Sequence, residues 1–211
     1  MKYIRNINEK FAFYQVEEQD IFNSVEFSIL VNYYNYSLDI ETVEFEYDII
    51  ANYRKELDLF EKSYYYAVLC EKDIVGTIRT VKWDKGMTLP MEEIYGLSID
   101  NIVGFCHKEV WHIGRFAIDR KARYALSNRM LKMLLMYAIA PVCQRQASIV
   151  LAECDIRLLK IINKLGIKTM TLAFPVDYLG SETVPILSNK NDLMPFYIQN
   201  ENLLNLKCVL L

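Results

Sequence analysis

Apolar residues recur at two different periods along the chain, and each change of period marks an element. Phe22, Val25, Ile29, Tyr33 and Tyr36 fall three and four apart, which predicts a helix over residues 20–37 with one apolar face and Asp20 as its N-cap. Residues 48–60 carry a second helical pattern, and the acidic stretch 39–48 between the two reads as a loop. Residues 11–18 alternate weakly, as a strand does. Two dense β-forming runs, 64–70 and 74–83, flank the short Glu71-Lys72-Asp73 and predict a hairpin. Residues 84–109 contain Gly86, Pro90, Gly96 and Gly104 and read as a long excursion with one short helix, before a further strand over 110–119.

A short basic loop, residues 120–124, then opens an apolar helix over about 125–140, with Pro141 ending or kinking it. The continuous apolar run 148–153 fits a fully buried strand. Asp155 comes next as the cap of a helix carrying Ile156, Leu159, Ile162 and Leu165, stopped by Gly166, with Arg157, Lys160 and Lys164 on its opposite face. Residues 167–174 and 184–187 read as the last strands, and the tail from 188 to 211 carries no legible pattern. This order of elements predicts an α/β protein, a mixed α+β sheet with helices on both faces. Without a linker or an internal repeat, residues 1–211 read as a single domain.

Composition narrows the class. Hydrophobic residues at 53% and charged residues at 24% are the balance of a globular protein. A net charge of −3 lacks the basic excess of a nucleic-acid binder. Five cysteines without a CxxC pair read as reduced thiols and a cytoplasmic location. Two histidines make a metal site an unpromising expectation. The N-terminus has no apolar signal core, and the longest apolar stretch, 130–143, contains Lys132 and reads as a buried helix instead of a membrane span.

Three groups of residues carry a family resemblance: Gly76-Thr77-Ile78-Arg79, Trp111-His112-Ile113-Gly114-Arg115-Phe116, and Arg120-Lys121-Ala122-Arg123-Tyr124-Ala125. With the order of elements, they resemble the GNAT acyltransferases. Within that superfamily they resemble the acyl-homoserine lactone synthases and the long-chain N-acyl amino acid synthases, whose hallmarks are Gly-x-x-Arg on one strand and Trp-Glu-x-x-Arg-Phe on the next. The resemblance implies an N-acyltransferase that takes an acyl-phosphopantetheine thioester, from acyl carrier protein or acyl-CoA, and holds no permanent cofactor. It implies that Gly114, Phe116, Ala117 and Ile118 meet the pantetheine arm, and that Arg120, Arg123 and Arg129 meet its phosphate end. The family's Glu is His112 here, and the central Gly of its phosphate loop is Arg123. Residues 20–40 lack the Arg and Trp that lactone synthases place around S-adenosylmethionine, which points away from a lactone product.

Chemistry assigns further roles. Transfer to an amine needs a polarised carbonyl, an acceptor for the amine's proton, and alignment. A bulge at Gly114 would free backbone N–H groups and bring His112 and Arg115 to one face of the sheet. His112 is the first candidate base and Glu153 the second, against a reading of His112 as a hydrogen-bonded sheet residue. Arg79 and Arg115 sit in apolar strands and require anionic partners, either a substrate carboxylate or a protein acid such as Glu46 or Asp48. Six basic residues and no acid lie between 120 and 152, a patch suited to steering an acidic acyl carrier protein or a plain solvated helix face. Met130, Met133, Met136 and their neighbours are core or the lining of an acyl tunnel. The leading expectation is transfer of a long acyl chain from carrier protein to the amine of an amino acid or similar molecule. An acetyl-CoA-dependent enzyme acting on a small amine and a catalytically silent acyl-binding protein are the alternatives.

Overall fold

The computed structural model describes residues 1–35, 43–103, 109–126, 128–145, 147–178 and 181–204. Its strands and helices run in the order β1 (Lys2–Asn6), β2 (Phe11–Gln15), α1 (Ile21–Asn35), α2 (Val43–Leu59), β3 (Ser63–Cys70), β4 (Asp73–Lys82), α3 (Pro90–Tyr95) and α4 (Ile99–Val103). Then come β5 (Glu109–Ile118), α5 (Arg120–Leu126), α6 (Arg129–Cys143), β6 (Ser148–Asp155), α7 (Ile156–Lys164), β7 (Met170–Thr171), β8 (Val176–Tyr178), β9 (Ser181–Asn189) and α8 (Lys190–Gln199). The strands form one sheet in the order β1-β2-β3-β4-β5-β6-β9-β7, with β8 paired to β9. β5 and β6 are parallel, joined by α5 and α6 as a parallel pair requires, and the other pairings are antiparallel.

Helices cover both faces. On one, α1 and α2 bury Val25, Ile29, Phe45 and Ile49 against Tyr65 and Ala67 of β3, while α3 and α4 bury Met91 and Ile99 against Val110, Ile149 and Leu151. On the other, α6 lies across the sheet with every residue from Met130 to Cys143 buried except Lys132. A side chain at Gly76 would stand 3.1 Å from the Met130 sulfur and 3.2 Å from a Leu134 methyl, so glycine there lets β4 and α6 approach. The Thr80 hydroxyl donates to the Ala138 carbonyl at 2.9 Å and anchors the same contact.

Several sequence expectations are corrected. The acidic stretch before residue 48 is not a loop over its last residues: α2 begins at Val43, because Phe45 and Ile49 continue its apolar face and acids suit a helix start. Asp20 ends a short 3-10 turn, and its carboxylate takes the N-terminal ammonium. Tyr36 lies outside the described residues. The basic segment 120–124 is helical, since the Asp119 carboxylate accepts the Ala122 N–H at 2.9 Å and caps α5. The apolar helix starts at Arg129 and runs through Pro141 to Cys143. Among the described residues the excursion holds two short helices instead of one.

Asp155 caps α7 as expected, accepting from the N–H groups of Arg157 and Leu158 at 2.6 and 3.0 Å. Of residues 167–174 only Met170 and Thr171 pair with β9, as an exposed edge. β9 is far longer than 184–187, because the buried polar residues Ser181, Thr183 and Ser188 hide its inward face from a hydropathy reading. β1, with one buried residue, and α8, with Pro195 inside it, were not legible.

One irregularity opens the sheet. β4 and β5 stay paired to Gly76 opposite Ile118, but β5 and β6 pair only from Glu109 opposite Ser148 to His112 opposite Leu151. Past that point the two parallel strands diverge.

Candidate active site

Where β5 and β6 diverge, β4 contributes Arg79, β5 contributes His112, Gly114 and Arg115, β6 contributes Glu153, and α2 contributes Asn52 and Glu56. Asn52 and Glu56 are four residues apart and share one face of α2. That face meets the sheet at Arg79 of β4 and Arg115 of β5.

The expected bulge exists one residue further along. Arg79 opposes Gly114 and Thr77 opposes Ala117, so β5 spends Arg115 and Phe116 against the single residue Ile78. Arg115 adopts the left-handed conformation, φ +54°, and the buried Thr77 hydroxyl donates to its carbonyl at 2.8 Å, pinning the bulge. As expected, the extra residue returns Arg115 to the side of His112. Gly114 serves another purpose, leaving room for its neighbours, since a Cβ there would lie 3.1 Å from the Arg79 Nη2 and 3.3 Å from the His112 ring. We expect Gly114→Ala to cost roughly 1–3 kcal/mol of stability by displacing those two groups. It should lower kcat more than it raises KM, measurable by denaturant unfolding alongside steady-state kinetics.

Glu56 is the acid that holds both arginines. Its carboxylate accepts Arg79 Nε at 3.0 Å, Arg79 Nη2 at 3.1 Å and Arg115 Nε at 2.8 Å, and Asn52 Oδ1 accepts a further Arg115 N–H. Burial works to raise the Glu56 pKa, but the two guanidiniums overturn it and hold the carboxyl down at about 2. Burial likewise opposes the charge on Arg115, and Glu56 more than restores it, raising its pKa. Of the acids suggested by sequence, Glu46 is exposed and Asp48 accepts the Tyr33 hydroxyl at 2.7 Å.

Arg79 and His112 are each 1% exposed. The Arg79 Nη1 lies 2.9 Å from His112 Nδ1, and His112 Nε2 lies 2.8 Å from Glu153 Oε2. A guanidinium can only donate, so Nδ1 is the acceptor, the ring proton sits on Nε2, and His112 donates it to Glu153. Both ring nitrogens are thereby engaged within the protein. Glu153 is different: its Oε1 is buried and has no partner among the described residues. Burial acts to raise the Glu153 pKa, yet the hydrogen bond from His112 and the Arg79 charge behind it prevail and hold it below the usual carboxylate range. Tyr178 of β8 stands nearby, its pKa raised chiefly by burial.

These groups form the polar end of a cavity of about 170 Å³ that passes through the β5–β6 opening. Arg79, His112, Gly114, Arg115, Glu153 and Tyr178 line one side of the sheet. On the other side the lining is largely apolar, with Leu135 and Ile139 of α6, Val150 and Ala152 of β6, Ile162 of α7 and Leu193 of α8. The methionines of α6 are buried core, and the cavity lining from that helix is Leu135 and Ile139. Phe116 also lines the cavity, while Ala117 and Ile118 continue β5 beyond it. Arg120 and Arg129 are exposed at the starts of α5 and α6, and the Arg123 side chain lies outside the described residues.

A family model for the N-acyl amino acid synthase FeeM matches residues 48–189. The chain belongs to the FeeM family of N-acyl amino acid synthases. It is accordingly an N-acyltransferase. No curated protein matches it in sequence. Among solved structures, FeeM itself, from uncultured soil microbes, is similar with a TM-score of 0.60 at 12% identity, covering 92% of this chain and 98% of that one. The acyl-homoserine lactone synthase LasI is similar with a TM-score of 0.59 at 13% identity over 90% of this chain and 96% of that one. A GNAT-family acetyltransferase from Staphylococcus aureus scores 0.54 at 12% identity over 85% and 99%. At these identities the structural likeness establishes the GNAT fold, and the family match establishes the class of enzyme.

Four contributors to this site escaped sequence reading: Asn52, Glu56, Thr77 and Tyr178. The spacing Asp48-Asn52-Glu56 was the available signal for the first two, a polar row at helical period beside the apolar one. Thr77 lies inside the Gly76-x-x-Arg79 motif, but only the bulge it secures reveals its use.

Proposed function

We propose that the protein transfers a long acyl chain from an acyl carrier protein to the amine of an amino acid or similar small molecule. The observation that carries this reading is the cavity through the opened sheet, polar on one face and apolar on the other. In this scheme the thioester carbonyl sits in the opening and the acyl chain runs past Ala152 toward Ile162 and Leu193. The edge of β5 beyond His112, unpaired with β6, supplies backbone N–H groups to the carbonyl oxygen. The acceptor amine approaches from the α2 side, and its nitrogen attacks the carbonyl. The C–N bond forms, the C–S bond breaks, and the pantetheine sulfur leaves as the thiol once the proton that Glu153 takes from the amine passes to it.

Glu153 takes the amine's proton at Oε1, the buried oxygen left without a partner among the described residues. Its low pKa is tolerable in a base here, because the nitrogen becomes strongly acidic once the C–N bond forms. His112 is a positioning residue: held by Arg79, it fixes the Glu153 carboxylate. Arg115, with three of its five N–H donors uncommitted among the described residues, receives an acceptor carboxylate, while Arg79 is spent on Glu56 and His112.

Carrier protein is favoured as donor by the exposed Arg120, Lys121 and Arg129 and by Asp119, whose carboxylate already occupies an N–H at the start of α5 where a diphosphate would compete. Mass spectrometry of lipid extracts from cells overproducing the protein tests the reading. A new N-acyl amide is expected, with a chain well beyond acetyl, absent in cells making Glu153→Gln. Extracts identical to those of the variant would count against it. Purified enzyme given the same acyl group on carrier protein and on CoA then separates the donors.

A further inference from the structure

The segment from residue 156 to 175 has two dissimilar sides. Its inward residues Leu158, Ile162 and Ile167 line the acyl cavity. Its outward residues include Arg157, Lys160, Lys164 and Lys168, all exposed, and the segment holds no acid in a chain whose net charge is −3. Directly after the last lysine, two large apolar side chains project into solvent: Met170 at 55% and Phe174 at 91% exposure. A nearly fully exposed phenylalanine at a loop tip gains nothing from the fold.

We propose that this segment is a membrane-docking face that seats the protein on an anionic lipid surface. A row of lysines beside exposed apolar tips is the composition of an interfacial anchor: the tips enter the headgroup boundary and the ammonium groups meet anionic lipid. No helix among the described residues is long and apolar enough to cross a membrane, so the contact is one of lying on the surface. Charge complementarity selects an anionic bilayer, and the apolar tips separate this face from the other basic patch. Arg120, Lys121 and Arg129 have no exposed large hydrophobic residue among the described residues of their own segment, 119–145.

The acyl-transfer reading gives the face a purpose, since an N-acyl product with a long chain is itself a lipid and the cavity wall is the inner side of the docking segment. Binding is measured without turnover, so failure of that reading and failure of this one are distinguishable. The experiment is co-sedimentation of the full chain with vesicles of phosphatidylcholine containing about one-third phosphatidylglycerol, and with phosphatidylcholine alone, at low and high salt. Wild type is expected to sediment with the anionic vesicles and to be released by salt. The triple variant Lys160→Glu, Lys164→Glu, Lys168→Glu should bind about 100-fold more weakly or worse, as three lost lysine contacts imply. Phe174→Ser should weaken binding about 10-fold. All these side chains are exposed, so Phe174→Ser should unfold at the wild-type midpoint and the triple variant, which reverses Lys164 in the last turn of α7, within a few degrees of it.

Wild type left in the supernatant with anionic vesicles, or binding indifferent to the triple variant, overturns the proposal. So does a triple variant whose only defect is a raised KM for acyl carrier protein, which would assign the face to a protein partner.

Discussion

Replacing Glu56 by Gln is expected to destabilise the protein by about 3–5 kcal/mol, the largest stability effect of any single change at the site. The substitution keeps shape and removes charge, leaving the Arg79 and Arg115 guanidiniums buried against each other without their shared anion. For a domain of this size that corresponds to a fall of roughly 10 °C in Tm. The same carboxylate sets an acid dependence. Its folded pKa, about 2, lies below its ordinary 4.5, so folding favours the ionised form. The stabilisation is complete above the unfolded value and is lost as pH falls from 4.5 towards 2. Denaturant titrations at several pH values should show this acid-sensitive component in wild type and lack it in Glu56→Gln. An unchanged midpoint in the variant at neutral pH would show that the arginines have another anion.

Glu153→Gln is expected to lower kcat by about 10²–10⁴-fold with little change in Tm, the range for loss of a positioned base. The amide oxygen still accepts the His112 Nε2–H, so the arrangement of Arg79 and His112 persists. What is lost is the ionised carboxylate that the proposed scheme uses as the base. His112→Asn should be milder, because it loosens Glu153 without removing it. If His112→Asn abolishes turnover while Glu153→Gln retains it, the imidazole is the base and the assignment must be reversed.

Much of the architecture was written in local pattern. The 63–82 hairpin came from two dense β-forming runs about a short turn, β6 from a continuous apolar run, and α7 from a helical period behind its Asp155 cap, and all three stand close to where those signals put them. The resemblance to acyl-homoserine lactone and N-acyl amino acid synthases rested on two strand motifs, and both motifs meet at one site. The partner of the arginines was not legible, because Glu56 lies twenty-three residues before Arg79 and fifty-nine before Arg115, and only tertiary packing of α2 joins them. Glu46 and Asp48, which lie farther still from both arginines along the chain, drew attention by local density of charge, which says nothing about direction. The ranking of His112 above Glu153 rested on unperturbed titration behaviour. It could not include the Arg79 contact that occupies Nδ1, nor the β5–β6 divergence beside which Glu153 lines the cavity, its Oε1 without a partner among the described residues. A short edge element such as β1 buries too little apolar surface to register in sequence, and β7 keeps only two of the eight residues read as a strand.

The central claim is that the opened sheet admits a long acyl chain, and the dependence of kcat/KM on acyl length measures it directly. With thioesters from about two to sixteen carbons, kcat/KM should climb by up to about fourfold per methylene, as burial of each CH₂ contributes about 0.8 kcal/mol, and then level off when the cavity is full. Ala152→Phe should move that plateau to shorter chains. An enzyme that prefers acetyl, or one whose profile is flat and unmoved by Ala152→Phe, would contradict the account.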